Sequence, residues 1–331
     1  MVHARVLVIG GTGFVGSQIA GKLCAMNRRV VVPTRRSERA RHLQPLPTVD
    51  IVEANVHDDA QLRRLMDGVD AVINLVGVLH GRTAAPWGAE FEAAHVRLPA
   101  RIVSACAQAG VRRLLHMSAL GVQAGGEQSL PSMYLRSKAA GERTVREARA
   151  LDWTIFRPSV VFGPHDAFLN LFAGLQAWLP LMALARAHAR FQPVFVSDVA
   201  QAFANALDAR STFDGCYELA GPEVFTLREL VALAGQYSGH RRPILALPDA
   251  LGRLQAAALE FAPGPTLMSR DNFDSMAIDN VASAPIAAEL GVVPTPLAAV
   301  APTWLRRGAT RRDKSHALRR VMLHCNKTCV P

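Results

Sequence analysis

Tyr134 and Lys138 stand four residues apart in Tyr134-Leu135-Arg136-Ser137-Lys138, and at that spacing they share one face of a helix. An ammonium beside a phenol favours the phenolate and lowers its pKa. A tyrosine tuned in this way can give a proton to a substrate oxygen or take one from it. The chain holds only three tyrosines and four lysines, so the pairing is seldom an accident of composition. Ser118 follows the apolar run Arg113-Leu114-Leu115-His116-Met117 and could hold the same oxygen by a hydrogen bond.

Those residues need a scaffold, and the N-terminal stretch supplies one. A β-branched run over 6–9 ends in Gly10, Gly13 and Gly16, and a helical pattern continues to about Met26. Such a turn needs positive φ, and a phosphate reaches the backbone only where Cβ is missing. The free N–H groups and dipole of the following helix suit a pyrophosphate. Between a first strand and a first helix, this spacing predicts dinucleotide binding. The second strand, 29–33, ends in Thr34-Arg35-Arg36. An acid at that point would bind the ribose hydroxyls of NAD, whereas arginine accepts a 2′-phosphate. No acid occurs before Glu38, which favours NADP(H) over NAD(H).

The third strand, 49–54, leads through Asn55, Val56 and His57 to Asp58, a cap for a helix over 59–66. The fourth strand, 71–76, ends at Gly77. Both strand ends should border the crevice where open α/β sheets bind ligands. One helix is expected over about 90–110, with His95 on it as a packing or surface residue and Gly110 as its C-cap. A glycine-rich loop, 121–126, follows the fifth strand and could arch over a site; the sixth strand is 153–157.

From 159 the composition turns apolar and alanine-rich. The expected organisation is a nucleotide-binding domain over 1–158, a smaller α/β lobe over 159–305 interleaved with it, and a basic tail over 306–331. The stretch 168–181 is uncharged but broken by Asn170, Gln176 and Pro180. It therefore reads as a buried or pocket-lining helix and loop, not a membrane span. The net charge is +10, of which 306–331 carries +7. The fold itself thus has no basic face for nucleic acid. The tail reads as solvated, or as a tether to anionic lipid or an acidic partner. Five cysteines without C-x-x-C fit a reduced, cytoplasmic compartment. Cys325 and Cys329 stand four apart beside His324 but lack two further ligands nearby, so no metal is expected. No apolar segment precedes the first strand, so no signal peptide is expected.

The glycine turn Gly10-Gly11-Thr12-Gly13-Phe14-Val15-Gly16, with Ser118, Tyr134, Lys138 and Arg157-Pro158, resembles the short-chain dehydrogenase/reductase superfamily. The branch it resembles is the extended or atypical, NAD-dependent epimerase/dehydratase-like one. Ser118-Ala119-Leu120-Gly121, the run 157–164, Asp198-Val199-Ala200 and the run 268–276 (MSRDNFDSM) are similar, more narrowly, to the alpha-subcomplex subunit nine group of respiratory complex I and its bacterial relatives. The resemblance covers about residues 5–305. It implies an α/β fold: a Rossmann-type doubly wound parallel sheet with a smaller C-terminal α/β lobe. It places NADP(H) on Gly10, Thr12, Gly13, Phe14, Val15 and Gly16, with Arg35 on the 2′-phosphate. Val56, Leu75, Val76 and Gly77 match the adenine and ribose walls. Ser118, Tyr134 and Lys138 match the catalytic triad, and Lys138 also reaches the nicotinamide ribose. Asn55 stands where the family more usually has Asp.

Two functions follow as expectations. One is an NADP(H)-dependent oxidoreductase acting on a quinone-related or other apolar substrate, which the apolar 169–184 region would suit. The other is a non-catalytic accessory or assembly factor of complex I or of quinone biosynthesis, docked on a membrane-associated complex at the inner face of the membrane. In the complex I branch the nucleotide is mainly structural. A nucleotide-sugar epimerase would share the triad, but the apolar lobe offers few partners for sugar hydroxyls.

Overall fold

The computed structural model describes residues 2–124, 126–261 and 266–305. Seven strands, β1 (Arg5–Ile9), β2 (Arg29–Thr34), β3 (Val49–Glu53), β4 (Ala71–Asn74), β5 (Arg113–Met117), β6 (Asp152–Pro158) and β7 (Gly215–Leu219), form one sheet. Its order is β3-β2-β1-β4-β5-β6-β7, and every neighbouring pair is parallel. The longer helices are α1 (Phe14–Ala25), α2 (Asp59–Leu65), α3 (Leu98–Ala109), α4 (Met133–Arg146), α5 (Leu169–Trp178), α6 (Val196–Ala206), α7 (Leu227–Ser238), α8 (Asp249–Glu260) and α9 (Arg270–Ser275).

This is the Rossmann-type doubly wound sheet. Its strands are apolar on both faces because helices cover both. Val6, Val8, Val30, Val32 and Ile73 point into one core with α1 and α6, while Leu7, Ile9, Val31, Val72 and Leu114 point into the other with α2 and α3. The chain reverses strand order between β1 and β4, and ligand crevices open at such a switch point. The second lobe is built on α5 and α7–α9. The first core is shared with it: Leu230, Val231 and Trp304 join the same cluster as Val8.

Two stretches differ from expectation. The predicted helix over 90–110 is a short helix (Ala89–Phe91), a π-helical turn (Glu92–Arg97) and then α3. Pro99 has no N–H for the carbonyl of His95 and its ring crowds that carbonyl, so the helix widens there. The close neighbour of that carbonyl is α4: a Cβ on Gly141 would lie 2.0 Å from the His95 oxygen. The second is the uncharged stretch 168–181. Of α5, only Leu169 and Gln176 are buried; Gln176 turns toward α7, where its Nε2 donates to the Val231 carbonyl at 2.8 Å. Two residues later the side chain points to the opposite side of the helix. Trp178 is accordingly 90 % exposed. No helix among the described residues is long and apolar enough to cross a membrane.

Candidate functional site

At the end of β1, Gly10 takes φ +87°, and the Gly13 N–H donates back to its carbonyl at 3.0 Å. A Cβ on Gly16 would lie 2.3 Å from that same carbonyl oxygen, so only glycine lets α1 start this close to the strand. No side chain caps α1, so its first N–H groups are left for an anion. Thr12 completes the turn, and Phe14 and Val15 begin α1. A Cβ on Gly10 would sit 3.3 Å from Leu75, and one on Gly77 would sit 3.1 Å from the Lys138 ammonium. Gly10, Leu75, Gly77 and Lys138 thus run in one line along the C-terminal ends of β1, β4 and β5. Val56 and Val76, past the ends of β3 and β4, pack on the same core. Arg35 is exposed and makes no ion pair among the described residues. His57 is held below its ordinary pKa by burial and then by the Arg35 and Arg101 charges, which places Arg35 beside the Val56 end of the crevice.

The other wall is α4. Ser132 caps it by accepting the Leu135 N–H at 3.2 Å. The Asp271 carboxylate, arriving from α9, accepts the N–H groups of Met133 at 2.6 Å and Tyr134 at 3.1 Å. Lys138 is buried, donates to the Met117 carbonyl at 3.1 Å, and is pulled down to about 8 by desolvation. Tyr134 departs from expectation. Its phenol is pushed up to about 12 by burial and then by the Asp271 charge. The Lys138 ammonium points at the Met117 carbonyl, so loss of water, not the lysine, dominates the phenol.

Ser118 follows β5, its N–H donating to the Phe156 carbonyl at 2.7 Å. The residue is 2 % exposed, and its Oγ has no hydrogen-bond partner among the described residues. A buried hydroxyl without a partner is uncommon and suits a ligand oxygen. The glycine cradle, the row from Gly10 to Lys138 and this orphaned hydroxyl together fit a nicotinamide dinucleotide with a substrate oxygen at its reactive end.

Three residues that the sequence left in the background belong to this wall. His95 is buried in the π-helical turn, its ring edge-on to Tyr134 with centroids 5.6 Å apart. Its Nε2 accepts the Val78 N–H at 3.0 Å, so the proton sits on Nδ1, which donates to Ser137 Oγ at 2.8 Å. Ser137 in turn donates to the Tyr134 carbonyl at 2.9 Å. His116 lies 3.1 Å from the Asn74 amide, and Asn74 Oδ1 accepts the Val76 N–H at 3.2 Å. Burial, then the Lys138 charge, drives His95 down to about 2 and His116 to about 3. Pro99 inside a helical pattern was the readable sign of the displaced turn. Asp271 lay within MSRDNFDSM, a stretch noted for resemblance alone.

Residues 6–218 match the NAD dependent epimerase/dehydratase family. The chain belongs to that family. Within it, the chain is 32 % identical over 319 residues to the mitochondrial NADH dehydrogenase (ubiquinone) 1 alpha subcomplex subunit 9 of Rattus norvegicus, covering 92 % of this chain and 80 % of the rat protein. The Arabidopsis thaliana protein of the same name is 31 % identical over 293 residues, covering 83 % of this chain and 70 % of that one. These matches bear out the resemblance to the epimerase/dehydratase-like branch and, more narrowly, to the subunit nine group. Among solved structures, a double mutant of DesIV, a dTDP-glucose 4,6-dehydratase from Streptomyces venezuelae with NAD and DAU bound, superposes with a TM-score of 0.69. It is 21 % identical and covers 91 % of this chain and 95 % of its own, a likeness of fold. The family member described here has no group of three or more His, Cys, Asp or Glu placed to hold a metal among its described residues. The basic tail 306–331, with Cys325 and Cys329, lies outside the described residues.

Proposed function

We propose that the chain holds a nicotinamide dinucleotide, NADP(H) in preference to NAD(H), as a non-catalytic accessory or assembly component. Its partner is a membrane-associated respiratory or quinone-biosynthesis complex, engaged at the inner face of the membrane. The observation that carries this reading is similarity along 92 % of the chain to a protein named as a subunit of NADH dehydrogenase. The lysine engaged by the Met117 carbonyl supports a site built for holding. In this reading Gly10, Thr12, Gly13, Phe14, Val15 and Gly16 receive the pyrophosphate, and Arg35 the 2′-phosphate. Val56, Leu75, Val76 and Gly77 flank the adenosine half, and Lys138 holds the nicotinamide ribose. A ligand bound only by the native state stabilises it by mass action. The test is complementation of a deletion strain, read as quinone-linked respiration or quinone content. Tyr134→Phe should restore it and Gly16→Ala should not; failure of Tyr134→Phe alone would overturn the non-catalytic reading.

One observation favours a second reading, an NADP(H)-dependent oxidoreductase on a quinone-related, apolar substrate. Ser118 Oγ is buried with no partner among the described residues, as a hydroxyl reserved for a substrate oxygen would be. The bound nucleotide would supply the hydride. Ser118 would orient the oxygen, and Tyr134, high at about 12, would serve as proton donor in the reducing direction. NADPH oxidation with a short-chain ubiquinone analogue, lost in Tyr134→Phe while the NADPH-induced rise in Tm persists, is the outcome this reading expects.

A further inference from the structure

The second lobe carries an apolar surface that the nucleotide site does not use. Two parallel strands, Met182–Leu184 and Ile244–Ala246, pair Ala183 with Leu245. Alternation along the first strand buries Met182 and Leu184 and leaves Leu181 and Ala183 outside, on the same face as exposed Leu245. Trp178, 90 % exposed, precedes that strand by one short turn. The helix α8 lies along the same edge, since Gln255 Nε2 donates to the Ala183 carbonyl at 2.9 Å. It buries Gly252 and Ala256 toward Ala185 and Phe273. Its outer side is divided. Asp249, Arg253 and Glu260 share one flank, while Leu251, Leu254, Ala258 and Phe261, spaced i, i+3, i+7 and i+10, form an unbroken apolar stripe on the other. Leu254 is 66 % and Phe261 77 % exposed. Contiguous exposure of this kind marks an interaction surface.

The charge around it selects the occupant. The segments that build the face, 167–190, 230–248 and α8, contain Arg186, Arg190, Arg241, Arg242 and Arg253 and two carboxylates, Asp249 and Glu260 at the two ends of α8. Both are paired, Asp249 with Arg186 at 3.0 Å and Glu260 with Arg270 at 3.0 Å; Arg190 pairs with Asp279 at 3.7 Å and Arg253 with Asp274 at 3.2 Å, so Arg241 and Arg242 are the arginines of the face without an ion pair among the described residues. Arg242 donates to the Gln176 carbonyl at 2.9 Å, which sets the Arg241-Arg242 pair beside the Trp178 end of α5. By sequence, residues 306–331 add a further +7. A tryptophan and a leucine stripe bordered by arginines is the composition that enters the headgroup layer of an anionic bilayer.

We propose that this face is an interfacial membrane-binding surface, with Trp178, Leu181, Leu245, Leu251, Leu254 and Phe261 set into the headgroup–acyl boundary of an anionic phospholipid bilayer. The inference deepens, and rests on, the reading of the chain as a component at the membrane.

Flotation of the purified full chain with phosphatidylcholine vesicles, with and without phosphatidylglycerol, tests it. The chain should float with anionic vesicles. Trp178→Ser combined with Leu254→Gln should reduce the bound fraction at least about tenfold at low salt, because the apolar contribution scales with the buried area. Both positions are exposed, so the variant should keep the wild-type Tm and its NADPH-induced rise; a variant that loses either is replaced by Leu251→Gln with Leu254→Gln. Equal flotation of variant and wild type would mean that basic residues alone bind, and would overturn the proposal. So would no flotation with any vesicle, or a wild-type dimer that the substitutions dissolve. Complementation by Tyr134→Phe is read separately, so loss of this surface and loss of the accessory reading are distinguishable outcomes.

Discussion

The Asp271 carboxylate and the Tyr134 main-chain N–H stand 3.1 Å apart, and the neighbouring Met133 N–H reaches the same carboxylate at 2.6 Å. A residue of the second lobe therefore closes the first turn of the helix that carries the reactive side chains. Burial pushes the Asp271 carboxyl up, and these two donors pull it back. Asn272 Nδ2 also donates to the Leu79 carbonyl at 3.3 Å, so α9 ties α4 to the loop after β4.

Replacing Asp271 by alanine leaves two main-chain donors at the start of α4 without that acceptor. Asp271→Ala should lower the unfolding free energy by about 1–3 kcal/mol, measured by urea denaturation, because a buried donor without a partner costs that much. Asp271→Asn, which keeps one acceptor oxygen, should lose less. Equal stability of Asp271→Ala and the wild type would remove Asp271 as the clamp.

His95 and His116 give the fold a predictable acid limb. Both are held far below the ordinary value of 6.5, His95 to about 2 and His116 to about 3, by burial and then by Lys138. Unfolding releases them to titrate near 6.5, so between there and the folded values the unfolded chain binds more protons. Stability contributed by the neutral rings is present above 6.5 and is lost as pH falls, at about 1.4 kcal/mol per pH unit for each histidine. Urea midpoints between pH 6.5 and 5 should show this slope, and His95→Phe should remove about half of it. An unchanged slope in the variant would exclude His95 as the buried neutral ring.

The strands and the glycine cradle were legible because each is written locally. Continuous apolar runs mean strands covered on both faces, and Gly10 needs positive φ. What was not legible depends on contacts distant in sequence. His95 joins the site only because Pro99 frees its carbonyl and Gly141 lets α4 come close. The Tyr134 phenol rises because of burial and then the Asp271 charge, which spacing alone does not specify. Absence of charge made 168–181 look buried, yet only one side of α5 has a helix to pack against.

Arg35 bears on cofactor choice. It is exposed and has no ion pair among the described residues, and its charge reaches His57 at the adenosine end. An arginine that pairs with a phosphate makes a charge-assisted contact, so Arg35→Ala should weaken NADPH by about tenfold to a hundredfold and leave NADH within about twofold. Titration calorimetry with the two nucleotides checks this, and equal losses for both would return Arg35 to the solvated loop.

Gly16 is the most direct probe of the cradle. Alanine there would place a methyl group 2.3 Å from the Gly10 carbonyl oxygen and 2.6 Å from the Gly11 Cα, both main-chain atoms of the turn itself. The turn must open, because backbone cannot rotate away as a side chain could. Overpacking of this kind costs roughly 1–3 kcal/mol, so Gly16→Ala should fold with a lowered Tm. Its NADPH-induced rise in Tm should vanish, because the N–H groups at the start of α1 no longer converge on one pyrophosphate. Gly21 is the matched control: it lies on the same helix, and a Cβ there meets nothing within 4 Å. Gly21→Ala should keep the full NADPH response and gain slightly in stability, since alanine favours a helix interior by about 1 kcal/mol over glycine. A full NADPH response in Gly16→Ala would place the nucleotide outside this turn.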